Sequence, residues 1–489
     1  MSATGWHYCA LAALVTLTVP AASATASPLD DTTIAGGVFT GPAHPHPSAV
    51  FINPAALNIA RPGSHFFLGG HLGLDSITID RLAIKDPDAG AQPDKKVKSF
   101  LPSPGGLFAF HQKLEQVSLG VAMGLPLAQR FAESEALRYH ARSGRLVQVM
   151  PISLAVALQP IRHIHIGVGL SLVLSELRMS FARDTALAGG SAGIAETNCD
   201  GQTCGIENPA ASQTIAIDVG TPGLKPFSPL NVFDFIALRN ATINVGALVN
   251  VREGWFVGLS YRSAPNFFSE QVLQGDVTVT DAPRDGGAVH HGKAEVAMRA
   301  NQSVLLGVRG GPILKRFDLV AGIGFHNLSR HKDLDIRLFG DDLAGSGVPE
   351  QIRRFRGFND VWRFEAGLES RGIENFRYGA RLRFETAAVD DANVTPIQVD
   401  GTNVGLSMGG ELRFAGGWSL GFSYSLAYYP TMDATNSAFD PRDRIACVDS
   451  EFDLHMCEAV REGRALPTAA GTYSRVMQGF TTWLRFDSL

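Results

Sequence analysis

The chain has 489 residues, a formal net charge of -5 and 18% charged residues, a balance that does not suggest a nucleic-acid partner. Its 45% apolar residues and 52 glycines suit many short strands and tight turns better than a helical protein. Several soluble domains are the ordinary expectation at this length, yet a membrane barrel reaches the same size as one unit.

Residues 9–19 (CALAALVTLTV) form a short apolar stretch, followed by the small-residue triplets Ala22-Ser23-Ala24 and Ala24-Thr25-Ala26. This pattern predicts a secretory signal over residues 1–26, although residues 1–8 hold no Lys or Arg. The stretch is shorter than the ~20 residues of a helical span, and no later apolar run reaches that length. Residues 27–63 carry little strand signal. Within them a Pro-rich run, Gly41-Pro42-Ala43-His44-Pro45-His46-Pro47, leads to Asn53-Pro54-Ala55. Pro fixes its own φ and Asn bonds local backbone, so a fixed turn is expected there, with or without a gating role.

From residue 64 to 489 the chain alternates. Met150, Ile152, Leu154, Val156 and Leu158 are separated by small or polar residues, as are Ile164, Ile166, Val168, Leu170, Leu172 and Leu174. Phe376, Tyr378, Ala380, Leu382 and Phe384 alternate with Arg377, Gly379, Arg381, Arg383 and Glu385. Trp418, Leu420, Phe422, Tyr424, Leu426 and Tyr428 continue the pattern against Ser, Gly and Ala. Period-two patterning places one face in an apolar medium and the other in a polar or crowded one. A soluble sandwich explains one such strand. It does not explain many strands of bilayer-crossing length with Trp and Tyr near their ends, which a transmembrane antiparallel β-barrel requires. Arg363, Glu365, Arg377, Arg381 and Arg383 then face the lumen.

Connections alternate as well. Short links at 113–116, 159–163, 252–254, 310–315, 370–375 and 415–417 interleave with long ones at 80–98, 127–145, 184–240, 265–292, 327–358, 387–402 and 430–472. Short periplasmic turns and long extracellular loops are the habit of bacterial outer-membrane barrels, and the count gives about fourteen strands. Cys199 and Cys204 share one long loop and Cys447 and Cys457 another, so two loop-stapling disulfides are expected. The 184–240 loop ends in Phe227, Leu230, Val232, Phe233, Phe235, Ile236 and Leu238. Apolar residues crowded on a loop either pack on other loops or form a greasy entrance, to which Phe267 and Phe268 could contribute.

The paired histidines His44/His46, His163/His165 and His290/His291 lack a placed third ligand, so no metal site is expected. No phosphate loop and no H-E-x-x-H is present, and neither an enzyme nor a cofactor is indicated.

The segment Ser48-Ala49-Val50-Phe51-Ile52-Asn53-Pro54-Ala55-Ala56-Leu57 resembles the N-terminal hatch signature of the FadL/TodX family of outer-membrane transporters of hydrophobic compounds. Val257 to Ser263, Leu273 to Val277, Asp360-Val361-Trp362-Arg363 and the strand pair from Val404 to Tyr428 resemble later family elements in order. The resemblance departs upstream of Asn53, where the Pro- and His-rich run replaces an acidic residue and a glycine-rich stretch. It implies a monomeric fourteen-stranded barrel plugged by residues 27–63 in the outer membrane of a Gram-negative bacterium. Asn53, Pro54 and Ala55 would form its hatch turn, and long-chain fatty acids or aromatic and aliphatic hydrocarbons would be its ligands. The competing expectation is a diffusion porin for polar solutes, which the inward charges would equally serve.

Overall fold

The computed structural model describes residues 36–81, 96–130, 133–184, 212–222, 240–267, 270–283, 286–313, 316–372, 375–434, 437 and 469–488, excepting the side chains of 125–130 and 184. The strands, in chain order, begin with β1 (Gly63–Arg81), β2 (Lys96–Lys113), β3 (Val117–Arg130), β4 (Ser143–Ile161), β5 (Ile164–Asp184) and β6 (Ser212–Gly220). They continue with β7 (Ala241–Arg252), β8 (Trp255–Arg262), β9 (Gln271–Thr280), β10 (Val289–Met298), β11 (Ser303–Ile313) and β12 (Phe317–His326). The last are β13 (Asp333–Phe339), β14 (Gln351–Phe355), β15 (Val361–Ser370), β16 (Phe376–Glu385), β17 (Asn403–Arg413), β18 (Trp418–Asp433) and β19 (Gly471–Asp487).

Fourteen of these close a ring of antiparallel pairs. The order runs β1, β2, β3, β4, β5, β7, β8, β11, β12, β15, β16, β17, β18, β19 and back to β1. The closing pair is in register from His65↔Asp487 to Arg81↔Gly471. The alternation sets which way each side chain faces. Ile164, Ile166, Val168 and Leu170 on β5 are exposed, whereas His165, Ser171 and Val173 are buried. Leu154, Val156 and Leu158, Leu382 and Phe384, and Leu420 and Phe422 extend the exposed apolar belt around the wall. Trp362, Trp418 and Tyr428 are exposed near strand ends, the level at which barrels carry interfacial aromatics.

The other five strands do not belong to the wall. The far end of β5, Glu176 to Asp184, pairs with β6, and the sheet continues through β9, β10, β13 and β14. Its buried face gathers Met179, Ile217, Val277, Val296 and Ile336 into one apolar core at the long-loop end. Leu273 to Val277 therefore stand in β9 of this outlying sheet, not in the barrel wall. The short helix Arg138–Ala141 lies under it, and Arg354 of β14 donates to the carbonyls of Tyr139 and His140 while covering the Phe181 ring at 4.3 Å. A second loop core joins Ile77, Val97, Leu137, Val389, Val399 and Tyr473, and so draws the loops together over the mouth.

One seam of the wall is short. β2 pairs with β1 along nearly its whole length, but with β3 only from Gly106↔Leu125 to Lys113↔Ser118. Beyond Leu125, β3 keeps its pairing with β4 up to Arg130↔Arg145. The two long strands thus part company toward the long-loop end.

Candidate functional site

Residues 36–62 run across the inner faces of the strands. The turn Gly37–Phe39 touches β16, β17 and β18, whereas Pro54–Ile59 touches β2, β3, β4, β5, β7 and β8 on the other side. Contacts on opposite sides of the ring put the segment within the lumen. Val38, Phe39, Ala49, Val50, Ala55, Ala56 and Leu57 are buried there against Phe67, Leu107, Ala157, Leu248 and Trp483.

The turn expected at Asn53 is present. Asn53 caps Pro54–Ile59, its Oδ1 accepting from the Ala55 N–H at 3.2 Å. Pro54 occupies the first position, where a missing N–H costs nothing and φ is already suitable. The Asn53 Nδ2 donates to the Pro42 carbonyl at 2.6 Å and to the Ala247 carbonyl of β7 at 3.3 Å. One amide therefore ties the turn to the preceding chain and to the wall. The wall has to lack side chains where this happens. A Cβ on Gly246 would stand 1.9 Å from Asn53 Oδ1, and one on Gly258 would stand 2.2 Å from the Pro42 oxygen.

The opposite wall holds the charges. Arg363 pairs with Glu385 at 2.6 Å and Arg377 with Glu411 at 2.8 Å. Arg381 pairs with Glu369 at 2.9 Å and lies 3.6 Å from Glu365, while Arg383 lies 3.8 Å from Glu385. The N-terminal segment enters this network. His44 Nε2 bonds Glu369 at 2.7 Å, and the Arg377 guanidinium covers the Phe39 ring at 4.1 Å. Burial pushes His44 down to about 4, with Arg381 and Arg309 adding to the effect and Glu369 opposing it. His46 bonds Ser48 at 2.7 Å and packs edge-on against Phe67; burial, Arg485 and Arg377 hold it well below the usual histidine range.

A small, part-open recess remains beside the segment, between Gly41–His44 and the inner faces of β11 and β12. Leu305, Val320 and three glycines make its apolar side, and Arg363, Glu365 and Arg381 its polar side.

The structure brings Asn53, Pro54 and Ala55 together with the wall and gathers all five expected lumen charges into ion pairs. Phe267 is part-buried beside the long-loop region, with φ 58. Phe227, Leu230, Phe233, Phe235, Ile236 and Phe268 lie outside the described residues, as do Cys199, Cys204, Cys447, Cys457 and the expected export signal. Sequence reasoning missed Gly246, Gly258, Glu411 and the anchoring role of His44. Glu385, by contrast, stood in the same alternation as Arg383. Among the described residues no three His, Cys, Asp or Glu are grouped to hold a metal ion. The spacing G-x-S-x-G does occur, at Gly405-Leu406-Ser407-Met408-Gly409 and Gly417-Trp418-Ser419-Leu420-Gly421. Both lie on wall strands β17 and β18, without the strand-to-helix elbow a nucleophile needs; a third, at 189–193, falls outside the described residues.

No protein-family model and no curated protein matches the sequence. In structure the chain is similar to a Pseudomonas aeruginosa FadL homologue, with a TM-score of 0.68 at 15% identity over 96% of this chain and 99% of that one. The Pseudomonas putida toluene transporter TodX gives a TM-score of 0.61 at 12% identity over 96% and 99% of the two chains. The Ralstonia pickettii toluene transporter TbuX gives 0.55 at 15% identity over 93% and 98%. At such identities the likeness is one of fold.

Proposed function

We propose that this chain is an outer-membrane channel through which hydrophobic small molecules, such as long-chain fatty acids or aromatic and aliphatic hydrocarbons, cross passively. The observation that carries the reading is what fills the lumen. An apolar segment lies across it, and the inward charges are engaged with one another and with that segment. A pore for hydrated solutes works through a continuous water path lined by available charge. Among the described residues nothing in this lumen favours that alternative. In our reading residues 27–63 are the hatch and Asn53-Pro54-Ala55 its fixed turn. The fold is shared with two proteins described as toluene transporters. The parting of β2 from β3 supports a sideways route, by which an apolar solute would pass from lumen to lipid without being wetted.

The test is reconstitution of the purified full chain into vesicles and planar bilayers. Labelled toluene or oleate should equilibrate faster than in protein-free vesicles, with little steady ion conductance. A large steady conductance without acceleration of any apolar solute would overturn the proposal and establish the polar pore.

A further inference from the structure

The two ends of the barrel carry charge differently. At the long-loop end exposed cations stand beside their own acids, Lys293 with Asp276, Arg142 with Glu135 and Arg299 with Glu270. The short-turn end has an exposed arginine at almost every position around the ring. Arg162 stands on the link from β4 to β5, Arg252 on that from β7 to β8, Arg316 on that from β11 to β12, Arg371 on that from β15 to β16 and Arg413 on that from β17 to β18, while Arg61 precedes β1. Against them, the exposed acids among the described residues of these turns are Glu115 and Glu253. Lys315 and Glu374, on the same links, cancel in formal charge.

Arg61, Arg162, Arg252 and Arg316 have no ion pair among the described residues. The other two use acids already engaged. Asp318 takes Arg371 at 2.8 Å and Arg309 at 3.0 Å, and Glu411, 3.9 Å from Arg413, pairs with Arg377. Like charges are also set side by side. The Arg371 N–H donates to the Arg316 carbonyl at 2.9 Å, and the Asn250 N–H to the His163 carbonyl at 2.8 Å, which makes neighbours of the turns carrying Arg162 and Arg252. Arg371 reaches the turn of Arg252 as well, its Nη2 lying 3.6 Å from where a Cβ on Gly254 would stand. Like charges on adjacent strands repel, and an anion lodged between them turns the repulsion into attraction.

The neighbouring residues indicate what the anion belongs to. Ile161, Val251 and Phe414, next in sequence to Arg162, Arg252 and Arg413, are exposed. Val251 continues the outward row of Val245 and Val249, and Phe414 that of Met408 and Leu412. The arginines therefore begin where the apolar belt ends. At that level a long cationic side chain keeps its stem on apolar surface and its head among lipid phosphates. A soluble protein would cover one sector, whereas these arginines are spread round the ring, as a leaflet is.

We propose that the short-turn rim binds anionic phospholipid headgroups, the phosphodiester of a phosphatidylglycerol or a cardiolipin, with Arg252, Arg316 and Arg371 as its densest sector. The inference rests on the outer-membrane reading above for placing this rim in the periplasm-facing leaflet, and not on what the channel carries.

Spin-labelled phosphatidylglycerol and phosphatidylcholine can be compared on the purified full-length barrel in phosphatidylcholine vesicles, the motionally restricted fraction of each label reporting its association. Phosphatidylglycerol is expected to be favoured about fivefold, the scale of one arginine near an anionic headgroup, and less so at about 0.5 M NaCl. With Arg252→Gln, Arg316→Gln and Arg371→Gln combined the preference should fall toward unity, and with Lys at the same three positions it should persist. Arg142→Gln with Lys293→Gln, at the long-loop end, should leave it unchanged. No preference in the parent protein overturns the lipid assignment and leaves the rim to a soluble acidic partner. A preference unchanged in the glutamine variant, or lost equally in the long-loop variant, overturns the site. Inorganic phosphate displacing the label more than chloride of equal ionic strength would make this a site for free phosphate instead. Toluene entry into the same vesicles is read separately, so a missing preference with entry intact counts against the rim alone, and the reverse against the channel alone.

Discussion

His44 shows how a residue that reads as a weak metal-ligand candidate becomes an anchor. Its ring is buried, neutral and bonded to Glu369, 325 positions away. A released N-terminal segment would titrate this histidine near the ordinary 6.5, whereas the seated one titrates near 4. Between those values the released form binds protons that the seated form refuses, so falling pH favours release. Below about 4 both forms are protonated and the effect ends; above 6.5 neither is. His46, depressed by burial, Arg485 and Arg377, adds with the same sign. Protease cleavage within residues 36–62 should therefore rise as pH falls through this window, and the rise should flatten in a His44→Gln, His46→Gln variant. A flat profile in the parent protein would mean these histidines do not hold the segment. The Asn53 turn was legible in the sequence because Asn-Pro acts on its own backbone. Gly246 and Gly258 were not, because a glycine's need for space is written in the chain that approaches it, and here that chain lies some two hundred residues away.

At the level of the strand, the outward face determines what the wall can tolerate. Along β5 the outward positions from Ile164 to Leu174 are apolar, and Glu176 and Arg178 follow them. Val168, 56% exposed, therefore sits well inside the belt. Val168→Lys is expected to destabilise the barrel in lipid by about 2–4 kcal/mol, the cost of a cation near a bilayer midplane. Arg178→Ala, which removes only the exposed ion pairs with Glu176 and Asp218, should change stability by less than about 1 kcal/mol. Urea unfolding in lipid vesicles distinguishes them, and equal midpoints would misplace the membrane. The wall strands were readable because period-two runs and alternating short and long links are local signals. The outlying sheet was not. Most of its residues sit inside connections that read as loops, and β6, paired with β5 on one side, takes β9 rather than β7 on the other.

For the whole molecule, wall and filling are separable. Every wall strand has two neighbours, and none of the ring's pairings involves residues 36–62. A chain lacking residues 36–58 is thus expected to assemble as a barrel of unchanged heat-modifiability and to conduct ions steadily, where the parent protein does not. Assembly without conductance would place the barrier instead in the loop core around Val389, Val399 and Tyr473.

The seam between β1 and β19 also orders events in time. Asp75 and Arg475 meet across it, 400 positions apart, and His65 and Asp487 are 422 apart. Contacts of high sequence separation form late. Until the last strand has been delivered, β1 has only β2 beside it and offers an open edge along its whole length, the kind of template on which chains aggregate. The barrel's most exposed moment is therefore the interval before its final hairpin docks, and the ring closes with its own beginning already in place to be enclosed.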